Sequence, residues 1–373
     1  MYEFEESPDG RRLSVLCDLE AGAGPHYLLN ATRLTMCMIP QVAANPSLDR
    51  IDEVFTVEQN ETGMTNEKLC HRIAMLPMCL SRDQVAAFHA GDVQMSIRRT
   101  NGGSRDARVT AEDITVSGAG AAAIRVADVF PKGAVSKRHV TLAVLPPGKG
   151  LAVSWEPEVG TGAVHACFDN VSQRTLSNEP DPEIIDREYN KWLVSEAFED
   201  TKALSGDRPR EFFEAAYGER CFKVNGTGDP VLVRLTIESE NANTSARDFL
   251  QWAVDVLEER VNAFEELFAR DSAFSTEGNV ARFEIDGPGL AYVGQIVKES
   301  AYDLFVAKDA APLAWCASRS VHPLDTLFVV SMAPKKGDAP LPEARARQIV
   351  RDSLAALYAH ISAMRSSFER TTI

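Results

Sequence analysis

Two apolar stripes constrain this chain more than any other feature of it. Beyond Ser245, the residues Leu250, Val254, Leu257, Val261, Phe264 and Phe268 fall at spacings of 4-3-4-3-4. Over residues 341–368, Val350, Leu354, Leu357, Ile361, Met364 and Phe368 repeat that spacing. Each series puts its side chains on one face of a helix. Ser245 with Asp248 supplies a capping box at the start of the first helix, over about 245–269. Burying one such side chain is worth roughly 1.5–3 kcal/mol, so each stripe is worth on the order of 10 kcal/mol gross, much of it offset by ordering entropy. Neither face can remain in water, and each needs a partner surface.

The two helices close two similar series of elements. RLSVLCDL (12–19) reads as a strand. Residues 26–38 read as a short helix stopped by Pro40, and VLVRLTIE (231–238) reads as a strand before the first long helix. Later, 280–286 reads as a strand and 289–300 as a helix. About 312–319 and 325–332 read as strands, and 341–368 follows. Strand, short helix, strand, long helix thus occurs twice. This predicts an α+β chain of two like halves paired through their long helices, a pseudo-dimer on one polypeptide. The first copy carries a large insertion. The expected organisation is a discontinuous first half (1–45 and 140–269), a β-rich insert (46–139), a linker (270–279, RDSAFSTEGN) and a second half (280–373). Inside the insert, VQMSIRR and ARVTAEDITV flank Asn101-Gly102-Gly103 and read as a hairpin. Residues 177–220 are acidic and Pro-rich and read as an irregular surface excursion.

With 373 residues, 45% apolar and 25% charged, the chain can bury a sizeable core over two or three domains. It has no run of eighteen apolar residues, and MYEFEESPDG lacks an apolar core, so neither a membrane span nor a signal peptide is expected. The seven cysteines are scattered without a CxxC pair, which points to free thiols in a reducing, intracellular compartment. Nucleic-acid affinity comes largely from Lys and Arg on phosphates, and a net charge of −15 argues against direct binding by the whole chain.

Two stretches could carry chemistry. In KLCHRIAMLP (68–77), Cys70-His71 could be a nucleophile and base, and Cys70, His71 and Cys79 could hold zinc. A catalytic pair needs a third, orienting group, and adjacent residues on a strand face opposite ways. The zinc spacing fits no common pattern and lacks a fourth ligand. In ITVSGAGAAAI (114–124), Gly118-x-Gly120-x-x-Ala123 follows a strand as a dinucleotide fingerprint would. Residues 129–155 then lack the acidic residue such a site needs, and Pro131 cuts the helix. A nucleotide-cofactor enzyme using Gly118–Ala123 is therefore the rival reading, and a scaffold unrelated to transcription is a second. Arg98-Arg99 and Lys137-Arg138-His139 read as solvated faces, and Trp192 and Trp252 as packing residues.

Several stretches, in order, resemble one family. Asn60-Glu61-Thr62 through Cys70-His71-Arg72-Ile73-Ala74-Met75-Leu76-Pro77-Met78 is similar to its N-x-T…(L/I)AHRLGLIPL element. Leu29-Asn30-Ala31-Thr32-Arg33 with Ile39-Pro40 is similar to its NSLRR helix and the IP beyond it. Pro147-Gly148-Lys149 and Gly160-Thr161-Gly162-Ala163-Val164-His165-Ala166 resemble RxGQ and KGxGxxHAKW, and VRLTIESENANTSARDFLQWAVDVL resembles FxxESxGxxxPxxxVxxAxxxL. The family is the alpha-like assembly subunits of multisubunit RNA polymerases: the third-largest polymerase II subunit, archaeal D and, more distantly, bacterial alpha. Phe283–Leu290, Ala317 to Val321-His322-Pro323-Leu324 and Phe328-Val329-Val330 resemble the smaller partner, the eleventh polymerase II subunit or archaeal L.

The resemblance spans nearly the whole chain and implies two fused subunits, as in some large DNA viruses. It implies a non-catalytic platform in the nucleus, or in host cell and virion for a virus. Its partners would be two large catalytic subunits and small zinc-bearing subunits, with no cofactor, direct nucleic acid or membrane. Arg33, His71, Arg72, Pro77, Gly160, Gly162, His165, His322 and Pro323 would meet the large subunits. The chain departs from the family at Ala31-Thr32-Arg33, which keeps one arginine, and at Asp286-Gly287-Pro288-Gly289-Leu290, which lacks the family's His-Thr and Gly-Asn. The cysteine loop of some insert domains has no counterpart.

Overall fold

Leu13, Val15 and Cys17 alternate along RLSVLCD, and all three are buried on one face of a strand. That strand, β2 (Arg12–Asp18), belongs to an antiparallel sheet with β1 (Tyr2–Glu6), β11 (Val171–Asn178) and β12 (Leu232–Ser239), in the order β1-β2-β12-β11. Helices α1 (Gly24–Thr35) and α9 (Ala246–Asp271) pack on it. These assignments come from a computed structural model, mixed α+β, that describes residues 2–19, 24–44, 51–89, 91–121, 124–133, 136–226, 228, 230–239, 241–307, 312–320, 322 and 326–370.

The second unit repeats the first strand for strand. Strands β13 (Ala273–Glu277), β14 (Val280–Asp286), β15 (Leu313–Ser320) and β16 (Leu327–Pro334) form a sheet in the order β13-β14-β16-β15, with α10 (Ala291–Phe305) packed on it and α11 (Glu343–Arg370) last. The expected linker at 270–279 is therefore corrected. The helix α9 runs to Asp271, Ser272 alone intervenes, and Ala273–Glu277 pairs with β14 as an edge strand. Each unit thus opens with a short hairpin, β1-β2 or β13-β14.

Four helices join the units. The helix α1 packs on α9 and α10 packs on α11, while α1 meets α10 and α9 meets α11 across the seam. The long helices run antiparallel. Arg365 of α11 bonds Asp255 and Glu258 of α9, both at 2.6 Å, and the Tyr358 hydroxyl reaches Asn262 and Glu265 at 2.6 and 2.9 Å. Leu250, Val254, Leu257, Val261, Phe264 and Phe268 are buried, as are Val350, Leu354, Leu357, Ile361 and Met364; Phe368 is half-buried. Phe264 stacks on Phe328 of β16, and Phe268 meets Phe283 of β14 edge-on.

The ends of the pair are clasped alike. Arg247, near the start of α9, lies 4.7 Å from the Phe368 ring centroid and bonds Glu6. Arg347, near the start of α11, lies 5.5 Å from the Phe268 ring and bonds the Ser272 hydroxyl and carbonyl, closing the C-terminal end of α9. The stripe read from sequence is also only part of what α9 buries. Phe249, Trp252, Ala253 and Val256 are covered as well.

Between α1 and β11 lies the insert. Its strands are β3 (Pro40–Ala43), β4 (Phe55–Asn60), β5 (Gln94–Thr100), β6 (Ala107–Thr110), β7 (Ile114–Ser117), β8 (Thr141–Leu145), β9 (Gly150–Trp155) and β10 (Glu158–Thr161). Its helices are α2 (Ile51–Val54), α3 (Asn66–Ala74), α4 (Arg82–Ala86) and α5 (Val126–Val129). The sheets are β4-β9-β5-β7, β6-β8 and β3-β10. The strands at 141–155, expected to resume the first half, complete the insert sheets, so the boundary at 139 is too early. The expected hairpin is also replaced: β5 pairs with β7 and β9, while β6 pairs with β8. The Asn101 side chain turns the chain away by donating to the carbonyls of Arg105 (2.9 Å) and Leu145 (2.8 Å).

The excursion at 177–220 is regular rather than irregular. Its helices are α6 (Pro182–Leu193), α7 (Glu196–Ser205) and α8 (Pro209–Tyr217), packed around Trp192, Phe213 and Cys221. Among the described residues, no helix is long and apolar enough to cross a membrane.

Candidate docking surfaces

KLCHRIAMLP begins inside α3, not on a strand. Thr65 caps the helix, and Leu69, Cys70, Ile73 and Ala74 form its buried face. Successive residues on a helix are not opposed, yet here Cys70 is buried and His71 and Arg72 are exposed. Burial, then Glu67 and Asp52, push the Cys70 thiol up to about 11. A thiol held there is protonated near neutrality and is a poor nucleophile. Among the described residues, no group of three or more His, Cys, Asp or Glu could hold a metal.

The chain beyond α3 is stitched down by side chains that sequence reading passed over. Asn170 Nδ2 donates to the Met78 carbonyl (3.1 Å) and to Gln41 Oε1 (2.7 Å). Asn241 Nδ2 and the Thr244 hydroxyl both donate to the Leu80 carbonyl, at 3.1 and 3.0 Å, and Asn243 reaches the Cys79 carbonyl. These bonds satisfy the carbonyls of buried residues 78–80, which lie outside the helices and strands. Three polar side chains in the run Asn241-Ala242-Asn243-Thr244 were the available signal. The segment is thus a packing corner between insert and first unit. His71, Arg72 and the 40%-exposed Met75 remain at its surface, and Pro77 is half-buried.

A second surface gathers Arg33, Gly160, Gly162 and His165. Arg33 donates from Nε and Nη2 to Asn30 Oδ1 (3.1 and 2.9 Å), and among the described residues no carboxylate bonds it. Gly160 lies in β10, where a Cβ would stand 2.5 Å from the Phe168 ring. Gly162 sits against Asp169, which binds Arg174 through both carboxylate oxygens. That pairing raises the Arg174 pKa. His165 Nδ1 accepts from the Cys167 amide (3.2 Å), and the Ala163 amide donates to the Cys37 carbonyl, tying the loop to the end of α1. His26, Asn30, Arg33, Arg174, Thr175 and Leu176 line a hollow of about 430 Å3. Leu34, Val159 and Val164 are exposed nearby in the chain, Val164 at 75%.

His71, Arg72 and Pro77 lie apart from this cluster, on and beyond α3, which packs on β4 and β8. His322 belongs to the second unit. Pro323 and Ala123 lie outside the described residues.

The glycines at 118 and 120 have a packing explanation. Gly118 has φ +103°, and a Cβ there would fall 2.3 Å from the Asp92 carbonyl oxygen. At Gly120 it would fall 2.9 Å from Val93 Cγ2. Both glycines let β7 leave its sheet against residues 92–93. A scan against protein-family models finds no match to this chain, and a search of curated proteins likewise finds none.

Proposed function

We propose that the chain is a non-catalytic assembly subunit of a multisubunit DNA-directed RNA polymerase. On this reading it joins two alpha-like partners in one polypeptide. The observation that carries the reading is the duplicated topology: two sheets of one strand order, with two long helices antiparallel between them. The ordered series of family-like motifs agrees with it.

The work of such a subunit is binding. The paired units offer their outer surfaces to two large catalytic subunits and to small zinc-bearing subunits, while nucleotide chemistry belongs to another chain. Arg33 with Gly160, Gly162 and His165 would form one contact, and His71, Arg72 and Pro77 another. His322 and Pro323 would belong to a third, on the second unit. An arginine with no carboxylate partner among the described residues, near exposed apolar side chains, suits an interface centre.

The test is a gentle affinity purification of the tagged chain from its own cells, with partners identified by mass spectrometry. Two large polymerase subunits in equal amount to the chain are expected. An Arg33→Ala/Arg72→Ala variant should lose them while keeping its circular dichroism. A preparation free of any large subunit overturns the reading.

A further inference from the structure

The insert contains an open pocket, and all of its described lining belongs to the insert itself. Beside α4 lies a cavity of about 260 Å3, walled mainly by Leu80, Ala87, Phe88, Val93 and Ile124. Exposed Asp83, Gln84, His89 and Asp92, with Gly120, also line it. Asp83 also lines a second hollow of about 270 Å3, which passes Arg82, Asn243 and Gln251 and reaches Trp252. An apolar pocket and a polar trough thus flank one carboxylate, that of Asp83.

The charges along this path are unbalanced. Arg82 is engaged by Asp255 and by the Trp252 ring, 5.6 Å from its centroid. Asp248 is engaged by the Ser245 cap. Among the described residues, neither the Asp83 nor the Asp92 carboxylate meets a cation or a hydrogen-bond donor of this chain. Two carboxylates without counterions thus border an apolar hole. Such a rim repels an acidic visitor and attracts a basic one. The opposite arrangement holds at Asp113, where Arg99 supplies the counterion internally.

We infer that pocket and trough receive an extended basic segment of a partner protein. One large apolar side chain of that segment enters among Leu80, Phe88 and Val93, and an adjacent Lys or Arg pairs with Asp83 and Asp92. The remainder lies along the trough toward Trp252. Anchoring by one apolar side chain, with charge fixing the register, is a common way to bind a peptide. The same chemistry holds whether or not the protein is a polymerase subunit.

The experiment selects random dodecapeptides displayed on phage against the full chain, then measures synthetic versions of the enriched sequences by calorimetry. Enriched peptides should carry Lys or Arg beside a large apolar residue. Ala87→Trp, which fills the pocket, and Asp92→Lys, which reverses the rim, should each weaken binding about tenfold or more, and added salt should weaken it further. Unchanged circular dichroism and melting of both variants separate lost binding from lost fold. The inference is overturned by no enrichment, by acidic or uncharged consensus peptides, or by binding that both variants leave intact. It is equally overturned if the pocket proves to hold a second copy of the chain, seen as self-association abolished by Ala87→Trp.

Discussion

The two units share a sheet order and a helix pair, yet they differ in what hangs from them. In the second, 306–312 joins α10 to β15 and 321–326 joins β15 to β16. At the same two connections the first unit accommodates the whole insert and the helices α6–α8. Loop-closure entropy rises slowly with length, and connections at the surface tolerate additions. The paired helices and inner sheet faces have no such latitude, because each side chain there fills a fixed space. The common scaffold thus carries stability, and the additions carry surface.

The hardest blow to the shared scaffold is Phe264→Ala, because Phe264 is fully buried and stacks across the seam on Phe328. Truncating a buried Phe costs about 3–5 kcal/mol, so chemical denaturation should reveal that loss or outright unfolding. A cost under about 1 kcal/mol would mean that the units do not depend on each other.

Arg247→Met and Arg347→Met probe whether the two ends of the helix pair are equivalent. Each should cost about 1–2 kcal/mol through lost hydrogen bonds and ring contacts. The ends are far apart, so the double variant should show the sum within about 0.5 kcal/mol. A coupling beyond that would break the picture of two independent clasps.

Trp192→Ala tests the contrast between scaffold and addition. Hydrogen exchange should rise across 182–217 while the melting of the rest stays nearly unchanged, since Trp192 packs in the separate cluster with Phe213 and Cys221. Global destabilisation would show that the excursion braces the first unit.

The smallest effect is on reactivity alone. Burial first, then nearby carboxylates, push Cys70 up to about 11 and Cys167 up to about 12. A raised pKa keeps the unreactive thiol form until the pH nears those values, so iodoacetamide at pH 8 should spare both in the folded protein. Guanidinium should expose both to modification, read by peptide mass spectrometry.

The long helices were legible because their stripes repeat over six positions each. The opening strands were not. YEFEE and AFSTE are short edge strands with mostly exposed side chains, and their partners rather than their own pattern hold them. Pro182 and Pro209 counted as breakers in the sequence, but each stands in the first turn of its helix, where the missing amide hydrogen costs nothing. In KLCHRIAMLP the period was misjudged: its buried positions 69, 70, 73 and 74 follow a helix. The docking candidates divide similarly. Gly160 has a local reason visible only once Phe168 is seen beneath it. The insert pocket has no sequence signal, because Gly120 and Ile124 meet α4 and residues 87–93 there from about 30 positions further along the chain.

Ser272, the single residue between α9 and β13, also sets the timing of synthesis. Helix α11 is completed about 100 residues after α9, so at about 5–20 residues per second the greasy flank of α9 waits roughly 5–20 s for its cover. During that interval the nascent first unit is open to chaperones and to a neighbouring nascent copy. Once α11 emerges, its tether supplies it at about millimolar local concentration, which favours closure within one chain over exchange between two.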